Sequence, residues 1–430
     1  MARRVYVHIG VMKSATSYVQ ALCELNRDRL AEAGILWCPD EVRYQAIRDL
    51  LGKGPDARRA ANAWSVVAED LHRHPGDAVF SNELLGALNV HQVRRVVGAL
   101  PAGEVHVVIT ARDLARVIPS HWQTTIKNGK TWTWSEFASS VCVGEASSDQ
   151  AAPDGSRSAD ANEEEDEVRI GTHTWFWRRH DVPSIVARWA TVLPAGQITL
   201  VTVPRETSEL ETVAARFGSV AGVDLVGLDQ PDRRNPSLGA HSAELLRRLN
   251  RSMAETEFRD PDHRFGRALG AALSAEAHLE PRFALTQADQ DWVGTRALAM
   301  IDEIKRSGIG VEGDLADLIP APSPPADSVD PGDTTDSELL SAGTRGLLGL
   351  ASVFHDLRGE GRELRLQLSA SEAKSAALED RVRQQHKRIR RLQAERADSS
   401  APASIPSRLR SRLRRNAVAR WVVERWRQAR

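Results

Sequence analysis

The chain predicts an α/β fold, a parallel sheet flanked by helices, on three observations. From residue 5 to about residue 307, short apolar runs alternate with amphipathic helical stretches, the pattern of strands joined by crossover helices. The first run turns at a glycine and a lysine directly into a helical stretch. Beyond residue 313 the pattern changes to a Pro-, Asp-, Ser- and Thr-rich segment and then to leucines on a heptad frame.

The strands are expected at residues 5–10, 77–81, 104–110 and 197–203, each an apolar run short enough for a buried strand. Connections with helical periodicity occupy 14–33, 62–72, 90–100 and 183–193. Residues 144–168, with Ser147, Asp160 and the acidic run Glu163 to Asp166, have no apolar periodicity and are expected to be a disordered insertion. Trp175, Phe176 and Trp177 follow it and read as core, with an acceptor cleft as the other placement. The organisation is therefore a domain over 1–313, a linker over 314–345 containing Pro320, Pro322, Pro324 and Pro325, a coiled coil over 346–396 and a basic amphipathic tail over 397–430. In the coiled-coil region Leu357, Leu364, Leu378 and Leu392 share one heptad frame, and Leu368, Val382 and Ile389 the frame offset by four. Such a helix predicts a homodimer, with a charged single helix as the alternative.

Charge is nearly balanced, 57 Lys and Arg against 58 Asp and Glu for a formal net charge of -1, but it is segregated between the acidic insertion and the basic tail. Nearly all basic residues are arginine, so the scarce lysines Lys13, Lys127 and Lys130 stand out. Cys23, Cys38 and Cys142 are odd in number and follow no metal-ligand spacing, which points to a reduced intracellular compartment. No run approaches the ~18 apolar residues of a membrane span, and the start lacks a signal peptide's apolar region. The expected localisation is cytoplasmic. In the tail, Leu409, Leu413, Trp421, Val422 and Trp426 fall near one side of a helix among many arginines, the composition of a helix lying on an anionic membrane surface. A nucleic-acid patch or a partner-docking helix fits that composition too, although nothing aromatic or basic in the core adds support for nucleic acid.

The chemistry sits at the first turn. A buried strand that delivers Gly10, Lys13, Ser14, Thr16 and Ser17 to a helix start builds an anion cradle from backbone N–H groups, the helix dipole and one ammonium. It is not a Walker A loop, because Gly10 precedes Lys13 by three residues and Met12 stands directly before the lysine. A second strand-like run ends in Arg112, with Ser120 eight residues later. A guanidinium offers a phosphate a rigid fork and a hydroxyl adds a rotatable donor. The plainer reading is that Arg112 and Asp113 cap a helix.

These two segments resemble the 5′-phosphosulfate loop and the 3′-phosphate-binding segment of sulfotransferases that use 3′-phosphoadenosine 5′-phosphosulfate (PAPS), in particular bacterial carbohydrate or glycolipid enzymes with a P-loop-like fold. Ala15 departs from the pattern, standing where that family usually has glycine. The resemblance implies PAPS as cosubstrate without a required metal, and a hydroxyl acceptor on a glycan or glycolipid. It implies that Gly10, Lys13, Ser14, Ala15, Thr16 and Ser17 hold the 5′-phosphosulfate and Arg112 and Ser120 the 3′-phosphate. Lys13 would be catalytic at the leaving phosphate. Residues 79–85 resemble a strand-end segment in which Glu83 would be general base, while Asn82 or Ser81 as N-cap with Glu83 in the first helical turn is the bland alternative. His8 and His121 are the other candidate bases, although a histidine inside a strand such as His8 reads more readily as a satisfied core residue and His121 as a contact of the nucleotide or its neighbours; Lys127 is a further anion-holding group. Arg234 and Asn235 loosely match a late loop that closes over the nucleotide. The competing functions are a P-loop small-molecule kinase, against which the missing G-K-[ST] speaks, and a coiled-coil scaffold with an inactive nucleotide-binding domain.

Overall fold

Six strands form one sheet with every neighbouring pair parallel, in the order β2-β3-β1-β4-β5-β6. They are β1 (Val5–His8), β2 (Ile35–Trp37), β3 (Asp77–Ser81), β4 (Val105–Ala111), β5 (Ile198–Thr202) and β6 (Gly310–Glu312). The computed structural model describes residues 4–52, 60–100, 105–142, 172–205, 210–231, 237–256 and 264–398. The acidic insertion, Arg234, Asn235 and nearly all of the basic tail lie outside them.

Helices cover both faces of the sheet. In chain order they are α1 (Thr16–Leu25), α2 (Arg27–Glu32), α3 (Asp40–Leu51), α4 (Ala63–Arg73), α5 (Val90–Gly98), α6 (Leu114–Lys127), α7 (Trp134–Cys142), α8 (Thr172–His180), α9 (Val182–Ala190), α10 (Leu210–Ala221), α11 (Ala240–Ala254), α12 (Arg264–Ala275), α13 (Gln287–Ser307) and α14 (Asp336–Asp398). Alternate strand residues feed opposite cores. Val5, Val7 and Ile9 join Val107 and Ile109 beneath α4, α5, α6 and α9, whereas Tyr6, Val108 and Val201 pack under α1 and α10 through Val19, Leu22, Val213 and Phe217. This two-sided burial is why the strands read as continuous apolar runs rather than as alternating ones.

The chain leaves β1 to build β2 and β3 on one side and β4 to β6 on the other. The carboxyl ends of β1 and β4 therefore flank the point where strand order reverses, the crevice in which open parallel sheets hold ligands. The four expected strands are present within a residue or two of their expected bounds. β2 and β6 are additional, each three residues long, and β6 is a mostly exposed edge with no apolar run to announce it.

Residues 314–345 carry short 3-10 turns at Leu315–Leu318 and Pro331–Asp333, and Leu318, Pro331, Thr334 and Ala342 are buried. By its contacts the chain divides into a unit ending at Val353 and a second beginning at Phe354, a division that falls within α14. Among the described residues no helix is long and apolar enough to cross a membrane.

Candidate functional site

The turn after β1 is held open by glycine and by strained backbone. Ile9 N donates to Val108 O at 2.9 Å and Val11 N to Thr110 O at 2.7 Å, so β4 supports the chain past the end of β1. Gly10 has φ +27°, and a Cβ there would lie 2.4 Å from Thr16 Oγ1 and 3.0 Å from Thr110 Oγ1. Gly86 closes against the same turn, since its Cβ would come within 3.2 Å of Gly10 O. Lys13 at φ 65° and Ala15 at φ 60° are left-handed, a conformation that costs a residue with a Cβ ~1–2 kcal/mol. Left-handed residues alternating with others turn successive N–H groups into one anion-binding concavity. Ala15, the N-cap of α1, brings that helix no side-chain acceptor. The missing glycine at position 15 therefore matters in physical terms: alanine holds the geometry that glycine would adopt freely.

Three buried polar atoms around this turn have no partner: Ser14 Oγ, Thr16 Oγ1 and Arg112 Nε. Ser14 and Thr16 follow β1 and Arg112 follows β4, its hydrogen-bonded neighbour. A buried donor without an acceptor costs ~1–3 kcal/mol, a cost that anionic groups seated after β1 and after β4 would relieve. Helix capping, the alternative role for Arg112, is carried out by its neighbour. Asp113 accepts from Arg116 N at 3.0 Å and forms an ion pair with the Arg116 side chain. Burial, with Arg116 adding to it and Asp113 opposing, lowers the Arg112 pKa to about 10. Ser120 lies two turns along α6, half-buried, and Ser17 is exposed on α1.

Lys13 is the electrostatic centre. Burial lowers its pKa and the carboxylate of Glu83 partly offsets that effect. Glu83 opens a 3-10 turn, Glu83–Ala87, that Asn82 caps by accepting from Leu84 N at 3.0 Å. Asn82 caps, as the plainer reading of this segment expects, and Glu83 lies close enough to Lys13 for the two charges to interact. Gln20 on α1 fixes the end of β3 by donating to Ser81 Oγ at 3.1 Å, Ser81 O at 3.2 Å and Glu83 Oε2 at 3.4 Å. From the other side Arg178 donates to Ala87 O at 2.9 Å and Arg188 to Gly86 O at 2.8 Å. Gln20, Gly86, Arg178 and Arg188 were not among the residues singled out from sequence. The only signal for Gly86 is a glycine inside an apolar turn, and the arginines are lost among many others.

His8 is a core residue. Its ring nitrogens meet Ser81 Oγ at 2.8 Å and Thr110 Oγ1 at 3.1 Å, and burial, with the charge of Arg43, drives its pKa down to about 3. Both ring nitrogens are engaged inside the sheet. His121 is likewise buried, its Nδ1 3.0 Å from His180 Nε2, inside a cage of Phe137, Trp175 and Phe176. Burial first, then His180, Lys13 and Arg179, hold its pKa well below the usual imidazole value. Its Nε2 has no partner, as is true of His180 Nδ1. Trp175 carries Arg179 over its face at 4.1 Å, so the aromatic triplet is core and cage together. Lys127 reaches Ser274 Oγ at 3.4 Å, and burial with the nearby Lys13 lowers its pKa to about 8. A small cleft of Val11, Arg112, His180, Val182 and Met300 adjoins the turn. The structure thus assembles Gly10, Lys13, Ser14, Thr16, Arg112 and Glu83 around one turn, with Lys127, His121 and His180 within reach of the Lys13 charge.

No protein-family model matches the chain, and no curated protein is similar to it. Among solved structures it is similar to a sulfotransferase from Alicyclobacillus acidocaldarius, with 12% identity, a TM-score of 0.35, and coverage of 61% of this chain and 100% of that one.

Proposed function

We propose that this protein is a sulfotransferase that takes PAPS as donor and passes its sulfuryl group to a hydroxyl of a carbohydrate or glycolipid. One observation carries the reading: Ser14 Oγ and Thr16 Oγ1 after β1 and Arg112 Nε after β4 are buried and unpartnered, beside a turn that is left-handed at Lys13 and Ala15. The donor has two separate anionic ends, and the chain offers two separate anion-binding elements after adjacent strands.

In this reading the turn amides, Ser14, Thr16 and Ser17 bind the 5′-phosphosulfate, while Arg112 and Ser120 hold the 3′-phosphate. The bond from the acceptor oxygen to sulfur forms as the bond from sulfur to the 5′-phosphate oxygen breaks, and negative charge collects on that phosphate. Lys13 meets that charge. Its desolvated ammonium is only partly compensated by Glu83, so stabilisation grows as charge develops beside it. Glu83, held by Gln20, removes the acceptor proton.

The test is single-turnover transfer from labelled PAPS, with wild-type chain and Lys13→Ala at equal occupancy by donor. Loss of turnover on the order of a hundredfold or more is expected when such a charge-stabilising group is removed. Equal turnover would remove Lys13 from the chemistry, and turnover of ATP with Mg²⁺ in place of PAPS would make the protein a kinase.

A further inference from the structure

We infer that the second unit is the dimerisation element, and that its partner is a second copy of this chain aligned parallel and in register. The α14 helix runs unbroken to Asp398, and from Phe354 on it carries a row of large apolar side chains that are roughly half or more exposed: Phe354, Leu357, Leu364, Leu368, Leu378, Val382, Ile389 and Leu392. A free helix gains nothing from such a row, whereas a partner that buries it gains ~25 cal/mol per Å².

Spacings of three and four place these residues on one seam. One set of core positions holds Phe354, Gly361, Leu368, Ser375, Val382 and Ile389, and the set three residues on holds Leu357, Leu364, Ser371, Leu378, Gln385 and Leu392. The second set is rich in leucine and the first ends in β-branched residues, the combination that favours two parallel strands. At 1.5 Å per residue the seam is ~58 Å long. The polar layers set its register. In an in-register parallel pair Ser371, Ser375 and Gln385 each meet their own copy, so polar groups face polar groups and the two Gln385 amides can bond to each other.

Charge points the same way. In a parallel pair the residue before a first-set core position lies near the residue five further along the other helix. That pairing brings Glu360 to Arg365 and Lys374 to Glu379 of the second copy, both attractive. An antiparallel seam centred on the same span also makes attractive pairs, Glu360 with Arg388 and Arg365 with Glu379, but it sets Glu372 against Glu372 and Lys374 against Lys374, two repulsions the parallel pair avoids. Glu379 also pairs within its own helix with Arg383 at 3.2 Å, so Glu360 and Arg365 give the cleaner test.

The experiment uses the full chain. Sedimentation at micromolar concentration should give twice the 47.3 kDa chain mass, and Leu364→Gln with Leu378→Gln should give the single mass while the first unit unfolds at an unchanged temperature. A wild-type chain of single mass, or a double variant that still sediments at twice that mass, overturns the inference. The native cysteines are buried, so an introduced thiol reports pairing. Gln385→Cys should link to itself under mild oxidation and Asp380→Cys, on the outer face, should not. Equal linking, or linking of Asp380→Cys alone, rules out the parallel register. Arg365→Glu should raise the dimer dissociation constant roughly tenfold at low salt and Glu360→Arg added to it should restore the value; failure to restore contradicts the charge pairing.

Discussion

Lys13 occupies a position that, on stability alone, should be glycine. Its φ of 65° is left-handed, its ammonium is desolvated, and the carboxylate of Glu83 offsets that burial only in part. Comparing Lys13→Gly with Lys13→Ala isolates the backbone cost, because both variants lose the same charge and the same stem and differ only in a Cβ. Left-handed backbone costs alanine ~1–2 kcal/mol that glycine avoids. Glycine gives back ~0.4–1 kcal/mol through the greater freedom of its unfolded chain. The balance is about 1 kcal/mol in favour of Lys13→Gly. At an ordinary helix or strand position the sign is reversed, with glycine worse by ~0.5–1 kcal/mol. Urea unfolding, with the midpoint followed at constant slope, measures the difference. Lys13→Ala more stable than Lys13→Gly by ~0.5 kcal/mol or more would refute the left-handed turn, and with it the concavity built on that turn.

Arg112→Ala should weaken donor binding by ~1.5–3 kcal/mol, roughly tenfold to more than a hundredfold, while leaving the rate at donor saturation nearly intact; a fall in saturated rate with unchanged donor KM would move Arg112 to the reacting centre. Glu83→Gln should keep donor affinity and lose ~10²–10⁴ in turnover, and near-normal turnover would end its role as base. His8 takes up a proton near its ordinary 6.5 when unfolded but only at about 3 in the fold. Acidification between those values protonates the unfolded chain alone, so stability falls as pH drops below ~6.5, by ~1.4 kcal/mol per unit for each such histidine. His8→Gln should remove one proton from that dependence, and an unchanged slope between about pH 6 and about pH 4 would show that His8 titrates normally.

What the sequence disclosed and what it hid follow from how local each feature is. β1, β3, β4 and β5 were legible because two-faced burial demands apolar runs, and Val5 through Ile9 or Val105 through Ile109 leave little else to be. Three-residue β2 and exposed β6 place too few side chains in a core to leave a pattern. At the site, Gly10, Lys13 and Arg112 announce themselves by residue type and spacing. The strain at Lys13 and Ala15 does not, since neither residue advertises positive φ. Gln20, Arg178 and Arg188 act on Glu83 and the carbonyls of its turn, contacts that only the folded sheet creates. For His8 a strand position suggests a satisfied core residue, but its partners Ser81 and Thr110 lie more than seventy residues away in sequence, on neighbouring strands, and only the fold identifies them.

On the proposed function, one turn and one arginine after adjacent strands bind the two ends of a 3′-phosphorylated nucleotide. Calorimetric titration of the full chain with 3′-phosphoadenosine 5′-phosphate and with adenosine 5′-phosphate tests it most directly. The doubly phosphorylated nucleotide should bind at least tenfold more tightly, the worth of a charge-assisted contact to the 3′-phosphate. Equal affinity for the two, or binding of neither, would contradict it.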